Sequence, residues 1–406
     1  MLIAAALSAG SSTIEDPLWA QDTQATQRAV SAFGTTVQQP NEQSWIIQGV
    51  KTLRAPKQPI DCGESGATLR FMIPIAALAR GNTTLLFRAS LKRRPVEPLL
   101  TALKPLGAKT QIGKHKETEA VFVEGNKGMV GGKTAIAGDI SSQFISGLMF
   151  ACPLAHTETK ITLTTPLESK EYVEMTQTVL ANHGITVDIK ENRILIPSNQ
   201  TYKPTNTKVP GDFSSAAFLL AAAAIRCSQI RVNNLDYAGV QGDKAILSVL
   251  KEMGVECRVD PSGVEIQSRG EPLEPIDIDA KNIPDLVPVI AVLGCYAKGT
   301  SHIRGAKRLR LKESDRLQAI YAELSKMGAK IKLTEEGLTI TGTPLHGAII
   351  DSHNDHRIAM AASVAALGAE DKTIIQNAEC IRKSYPQFYL HLKQLGADIV
   401  DGKLDR

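Results

Sequence analysis

Several cationic side chains in this sequence stand where a helix is expected to begin. The segments are Arg94-Pro95, Lys312-Glu313-Ser314-Asp315-Arg316, His356-Arg357 and Lys383-Ser384-Tyr385-Pro386. A helix N-terminus carries roughly +0.5 of a charge and unpaired N–H groups, so a Lys or Arg there is mildly unfavourable. One such placement is unremarkable, but four together point to an anion held among helix ends. Lys312 and Arg316 lie four residues apart, a like-charge pair that repels unless something negative joins it. The plain alternative is a solvated helix end with local Lys312–Asp315 or Glu313–Arg316 pairing. Arginine forks suit phosphate and carboxylate because they grip two oxygens at once.

A carboxylate belongs to the same set. Asp285, in Asn282-Ile283-Pro284-Asp285, stands before an apolar helix and reads first as a cap. Set among cations it also remains ionised and can act as a general base. In Asn354-Asp355-His356-Arg357, one of the first two residues is expected to cap the helix that follows. The loop Asp61-Cys-Gly-Glu-Ser-Gly66-Ala-Thr, before an expected helix Leu69 to Ala79, suits close backbone approach to an oxyanion. Ser141, Ser142 and Gln143, at the mouth of another helix, offer neutral donors.

The elements that carry these groups recur. An apolar helix end followed by glycine and an alternating stretch appears at Gly34, Gly107, Gly184, Gly254, Gly328 and Gly396, spaced by 73, 77, 70, 74 and 68 residues. Each reads as a helix ended by a C′ glycine and followed by a strand, such as Ala329 to Leu333. Fixed-period similarity means a repeated supersecondary unit. Six units divide into two domains of three, with the crossing near Val209-Pro210-Gly211-Asp212, so that domains 1–211 and 212–406 are expected. The turns Gly138 to Ser142 and Gly211 to Ser215 share the pattern G-D-x-S-S, each opening an apolar helix. Two such domains are expected to face one another across a ligand cleft.

Bulk numbers fit this picture. At 406 residues, with 43% apolar and 22% charged side chains, the chain has ordinary globular composition. A net charge of +4 with 4% aromatics gives no case for nucleic acid. Six scattered cysteines without a C-x-x-C pair read as reduced thiols in a cytoplasm. The longest apolar run, Leu286 to Ala297, is too short to span a bilayer and contains Pro288. Residues Met1 to Gly10 lack a basic n-region and read as a helix body stopped by Gly10.

Together these segments resemble the 5-enolpyruvylshikimate-3-phosphate synthase family. The matching pieces are G-x-S-G-A-T-x-R (63–70), R-R-P (93–95), G-D-x-S-S-Q-F (138–144), Ser169-Lys-Glu-Tyr172, G-D-x-S-S-A (211–216), Q-G-D (241–243), I-P-D (283–285), L-K-E-S-D-R (311–316), N-D-H-R (354–357) and Lys383. They run in family order along nearly the whole chain. The resemblance implies an α/β (α+β) chain folded as a two-domain inverse α/β barrel, with three βαβαββ units per domain. The first domain would hold shikimate 3-phosphate; the second would bring the catalytic acid and base and phosphoenolpyruvate cations.

The implied reaction moves the enolpyruvyl group of phosphoenolpyruvate to the 5-hydroxyl of shikimate 3-phosphate through a tetrahedral intermediate, without metal or cofactor. By resemblance Asp285 takes the hydroxyl proton and Glu313 protonates the methylene carbon. Gly66, Arg94, Gln143, Arg316, Arg357 and Lys383 would bind phosphoenolpyruvate. Ser141, Ser142, Gln143, Ser169, Tyr172, Asp285 and Lys312 would bind shikimate 3-phosphate, with His356 in support. A cytoplasmic monomer with small anionic substrates, and no nucleic-acid or membrane partner, is expected.

The sequence departs from the family pattern in two places. Glu64 and Ala67 stand where many relatives have Asn and Thr. The family's P-G-S-K-S-x-S-x-R stretch, with its catalytic Lys, would precede the helix that Met1 to Ala6 resembles and is not in the sequence. A truncated start is therefore expected, through a misassigned start codon, a fragment or a real loss, and with it an inactive ligand-binding relative as an alternative. UDP-N-acetylglucosamine enolpyruvyl transferase is the other alternative. It usually carries a reactive Cys shortly before its R-P motif, and Phe87 to Arg94 has none.

Overall fold

The computed structural model describes residues 1–125 and 128–400. It divides into two compact units, Met1–Pro210 with Val240–Gly242, and Gly211–Gly239 with Asp243–Arg406. Each has its own apolar core.

The repeat is a β-strand, a helix, a parallel strand, a second helix and an antiparallel hairpin. In full form it spans Ile60–Asp61, Gly66–Ala76, Asn82–Phe87, Glu97–Leu103, Lys109–His115 and Thr118–Glu124. It recurs complete from Gly132–Ile136 to Arg193–Ile196, and again from Asp277–Asp279 to Leu338–Thr341. In all three the first strand pairs parallel with the second, which then pairs antiparallel with the hairpin. The other units are variations. The sheet of Gly10–Glu15, Ser44–Gly49 and Thr36–Asn41 takes its parallel strand from Thr207–Lys208, with Ile14 beside Thr207. Among the described residues, Gln229–Asn233, Gly263–Gln267 and Glu256–Asp260 form a sheet without a parallel partner, and Ile349–Asp351 pairs only with Ile374–Gln376.

The most apolar helices lie in the interior of each unit. All nine residues of Val287–Cys295 are buried, and Phe213–Ile225 is built largely from Ala, Leu and Phe. A helix apolar all round has no face for water and is covered on every side. These two pack with His356–Gly368 and with each other. In the first unit Gly66–Ala76 packs on Ser142–Ala151. Pro74 cannot donate to the carbonyl of Arg70 four residues earlier. Gly147 comes in at that carbonyl, where a Cβ would stand 2.7 Å from the oxygen.

All six repeat glycines have φ between 74° and 108°, the left-handed region in which a helix is closed by a C′ residue. Strands follow five of them; after Gly396 no strand forms among the described residues. The first helix differs from expectation. It ends at Ala6, and Gly10 opens a strand, because the chain from Leu7 to Ala9 turns to bring Gly10 beside Gly49. The third helix runs Gly66–Ala76, three residues earlier at both ends than expected, because Ser65 caps it by accepting from Thr68 N at 3.3 Å. The hairpin strand near Ala329 is Lys330–Leu333. Among the described residues no helix is long and apolar enough to cross a membrane.

Candidate active site

In the second unit the site is organised around Arg316, the first residue of the helix Arg316–Lys326. Its side chain is 1% exposed. Nε donates to Asp355 Oδ2 at 2.8 Å and Nη1 to Asp285 Oδ1 at 2.8 Å. Nη2 donates to Glu313 Oε2 at 2.7 Å and to Asp355 Oδ1 at 3.2 Å. Four of the five guanidinium N–H groups are thereby used.

Three more cations face the same carboxylates. Arg357 Nη2 reaches Asp285 Oδ2 at 3.2 Å and Ser214 Oγ at 3.0 Å, while its Nη1 donates to the Asp285 carbonyl. Lys312 Nζ is 3.6 Å from Asp285 Oδ1. Lys383 Nζ is 3.5 Å from Glu313 Oε1 and, among the described residues, has no hydrogen-bond partner in its buried position. Four cations against three carboxylates leave a surplus of positive charge suited to an anion. Burial favours the neutral form of the Asp285 carboxyl, but Arg357, Lys312 and Arg316 outweigh it and hold its pKa far below the usual carboxylate range. Asp355 is likewise lowered, by Arg316 against burial. Burial depresses the His356 imidazole to about 4, with Arg357 assisting and Asp355 opposing, so it is neutral at pH 7.

Local sequence explains these placements. Asp355 caps the helix His356–Gly368 by accepting from Arg357 N at 3.0 Å. Ser314 Oγ donates to Asp355 Oδ2 at 3.0 Å. Of the two local pairings expected near Lys312, Glu313–Arg316 forms, whereas Asp315 pairs with Arg310 at 2.9 Å. Asp285 lies in a 3-10 turn, Pro284–Leu286, ahead of the helix Val287–Cys295, and its carboxylate goes to the cations rather than to a backbone cap.

The first unit holds a second group. The guanidinium of Arg94 lies against the N-terminus of Gly66–Ala76, where a Cβ on Gly66 would stand 3.0 Å from Nη1. Arg70, 4% exposed, donates to Gln143 Oε1 at 2.8 Å and stacks over the Phe144 ring. Ser141 precedes the helix Ser142–Ala151 without capping it through its side chain. Ser169 is buried at φ 54° before Lys170–Asn182, whose first turn carries Tyr172. Asp61 accepts from Gly63 N at 2.9 Å and from Arg88 at 2.7 Å, shaping the loop that carries Glu64.

Two of the four expected cationic helix starts are found, at Arg316 and at His356-Arg357. Pro98 near the start of Glu97–Leu103 places that helix after Arg94, which ends the 3-10 segment Ala89–Arg93 instead. Lys383 ends the segment Ala378–Lys383, and its helix begins only at Phe388, past Pro386. The G-D-x-S-S twins also differ. Asp212 caps Phe213–Ile225 through Ser214 N and Ser215 N, whereas Asp139 accepts from Thr165 Oγ1 and its helix starts three residues later, at Ser142. Asp355, Ser314, Ser214 and Arg70 are site residues that sequence reading did not single out. All four nonetheless lie inside the quoted motifs. Among the described residues no group of three His, Cys, Asp or Glu is placed to hold a metal.

Repeated α/β units built around buried helices are the architecture of the enolpyruvyl transferase fold. Solved structures agree. An EPSP synthase from Acinetobacter baumannii superposes with a TM-score of 0.80 at 27% identity, covering 97% of this chain and 92% of that one. The enolpyruvyl transferase NikO from Streptomyces tendae gives 0.77 at 19% identity, over 98% and 92%, which bears on fold alone. The family model for EPSP synthase (3-phosphoshikimate 1-carboxyvinyltransferase) matches residues 1–392. A 3-phosphoshikimate 1-carboxyvinyltransferase of Methanocaldococcus jannaschii is 41% identical over 401 residues, 98% of this chain and 93% of that protein. One from Methanocella arvoryzae is 42% identical over 386 residues, 95% and 91%. The chain belongs to the EPSP synthase family.

Proposed function

We propose that this chain transfers the enolpyruvyl group of phosphoenolpyruvate to the 5-hydroxyl of shikimate 3-phosphate, giving 5-enolpyruvylshikimate 3-phosphate and inorganic phosphate. The observation that carries this reading is that Asp285 and Glu313 accept from the same buried Arg316 within a cation-rich cluster. Family membership and the names of the relatives support it.

In the addition Glu313, which enters the step as its neutral acid, gives its proton to C3 of phosphoenolpyruvate, and C2 becomes electrophilic. The 5-hydroxyl oxygen bonds to C2 while Asp285 accepts its proton. In the elimination a proton returns from the C3 methyl to Glu313, the bond between C2 and the bridging phosphate oxygen breaks, and phosphate leaves with that electron pair and the proton held at Asp285. The field of the surrounding cations makes Asp285 a weak base. Substrate anions beside Arg357 and Lys312 compensate that field and strengthen the base as the hydroxyl arrives.

Gly66, Arg94, Gln143, Arg357 and Lys383 are assigned to phosphoenolpyruvate, together with the one N–H that Arg316 has left. Ser141, Ser142, Gln143, Ser169, Tyr172, Asp285 and Lys312 are assigned to shikimate 3-phosphate, with His356 supporting. Residues 1–211 thus mainly receive the acceptor, and 212–406 supply acid, base and most cations. The reading includes a cytoplasmic monomer, and the six free thiols support a reducing compartment. The test is phosphate release with each substrate alone and with both. Release is expected only with both, and is lost in Asp285→Ala and Glu313→Ala. Release from phosphoenolpyruvate alone, or equal release with UDP-N-acetylglucosamine as acceptor, would sink the assignment.

A further inference from the structure

We propose that Glu323 and His353 are positioning residues for the acid–base cluster, acting as a second clamp between the helix Arg316–Lys326 and the segment that carries Asp355. The inference rests on the enolpyruvyl-transfer reading for its kinetic part only.

Glu323 lies seven residues after Arg316, two turns along the same helix face. It is 3% exposed, although a carboxylate is costly to bury. Its oxygens are saturated by the other segment and by its own helix. Oε1 meets His353 Nε2 at 2.8 Å, and Oε2 accepts from Asp351 N at 3.0 Å and from Lys326 Nζ at 2.7 Å. The segment so gripped has an unusual backbone. His353 and Asn354 are consecutive non-glycine residues at φ 52° and 53°, directly before Asp355. Such backbone persists only where its surroundings over-determine it. Here Asp351 Oδ1 accepts from His353 N at 2.8 Å, Ser352 Oγ accepts from Asn354 N at 3.2 Å, and the Ser352 carbonyl accepts from Asp355 N at 2.9 Å. In this turn the His353 ring and the Asp351 amide tie the chain to the helix bearing Arg316.

Over their shared apolar core the two segments are linked by Arg316–Asp355 at the chemistry and by Glu323–His353 two turns away. Releasing the second lets the turn relax and moves Asp355, which orients Arg316 and through it Asp285 and Glu313. None of the Glu323 or His353 atoms touches those two carboxylates, so the effect reaches the reaction through geometry.

His353 is partly exposed, so His353→Ala folds without leaving a cavity, and it is the primary variant. Hydrogen exchange at 351–358 is expected to quicken at least tenfold in His353→Ala, with Phe213–Ile225 unchanged. The kcat for phosphate release falls about tenfold, while KM for shikimate 3-phosphate changes less than threefold. His353→Gln, which keeps a donor, recovers most of the kcat, and adding Glu323→Gln to His353→Ala causes little further loss. Unchanged exchange at 351–358 overturns the clamp whether or not the chain is active. Faster exchange with full kcat overturns the positioning role. A wild-type chain that releases no phosphate defeats the functional reading, and the exchange result then judges the clamp alone.

Discussion

Arg316 and Asp355 meet as a two-bond fork, Nε to Oδ2 at 2.8 Å and Nη2 to Oδ1 at 3.2 Å, with both side chains closed to solvent. Two parallel N–H···O bonds fix the guanidinium plane. The remaining edge of that plane is thereby aimed at Asp285 and Glu313. Asp355 thus works at once as helix cap and as the group that orients the arginine.

Removing this arginine leaves three carboxylates without their shared cation. Breaking a buried ion pair costs roughly 3–5 kcal/mol. Arg316→Ala is accordingly expected to lower the melting temperature by about 10 °C, on the scale of a 200-residue unit, and to abolish phosphate release. Arg316→Lys keeps the charge but not the fork and also loses most activity. Calorimetry with the phosphate assay checks both; an Arg316→Ala protein with wild-type melting would contradict the buried network.

Asp285→Asn preserves shape and removes the proton acceptor. Loss of a positioned general base typically costs 10² to 10⁴ in rate, so kcat is expected to fall by about that much, with KM for phosphoenolpyruvate nearly unchanged. Steady-state kinetics measures the split, and a fall of less than tenfold would remove Asp285 from the base role.

Gly66→Ala places a methyl 3.0 Å from Arg94 Nη1. The neighbour is the tip of a flexible side chain, so the fold tolerates it while the guanidinium shifts. The expected outcome is a rise of roughly 10-fold in KM for phosphoenolpyruvate from misplacement of this group, with unchanged melting. Equal KM in the two proteins would show that Arg94 is not a phosphoenolpyruvate ligand.

His356 gives a pH signature. Its folded pKa, depressed to about 4, lies below the unfolded value near 6.5. The unfolded chain therefore binds the extra proton between those values. The stability contribution is complete above about pH 6.5 and is lost as pH falls toward 4, roughly 3 kcal/mol in all. Asp285 and Asp355 lose theirs only below the ordinary Asp value, because their folded pKa values are lowered. Urea titrations at pH 7 and 4.5 should show a drop of about 2 kcal/mol that is absent in His356→Gln.

Much of this is readable from the chain. The six glycines mark helix ends because only a left-handed C′ residue closes those helices, and all six have positive φ. The motifs hold most of the residues that gather at Arg316. What local patterns do not carry is which helix a side chain serves. Arg94 stands at an N-terminus, but that of Gly66–Ala76, and Lys383 faces Glu313 beside Arg316–Lys326 rather than its own following helix. Much of the negative charge implied by the cationic starts is intrinsic, in Asp285, Glu313 and Asp355. Glu323 reads as one more surface residue of an amphipathic helix; its burial depends on a turn thirty residues later.

The pairing of Thr207–Lys208 with Ile14–Glu15 bears on how the chain is born. Ribosomes deliver about 5–20 residues each second, so the strand Gly10–Glu15 waits on the order of ten seconds or more for the neighbour that covers its edge. During that interval a row of backbone donors and acceptors is open to other chains. Growth at low temperature, or a chaperone that shields the nascent edge, should therefore raise the soluble yield of this protein more than any change near Arg316 would.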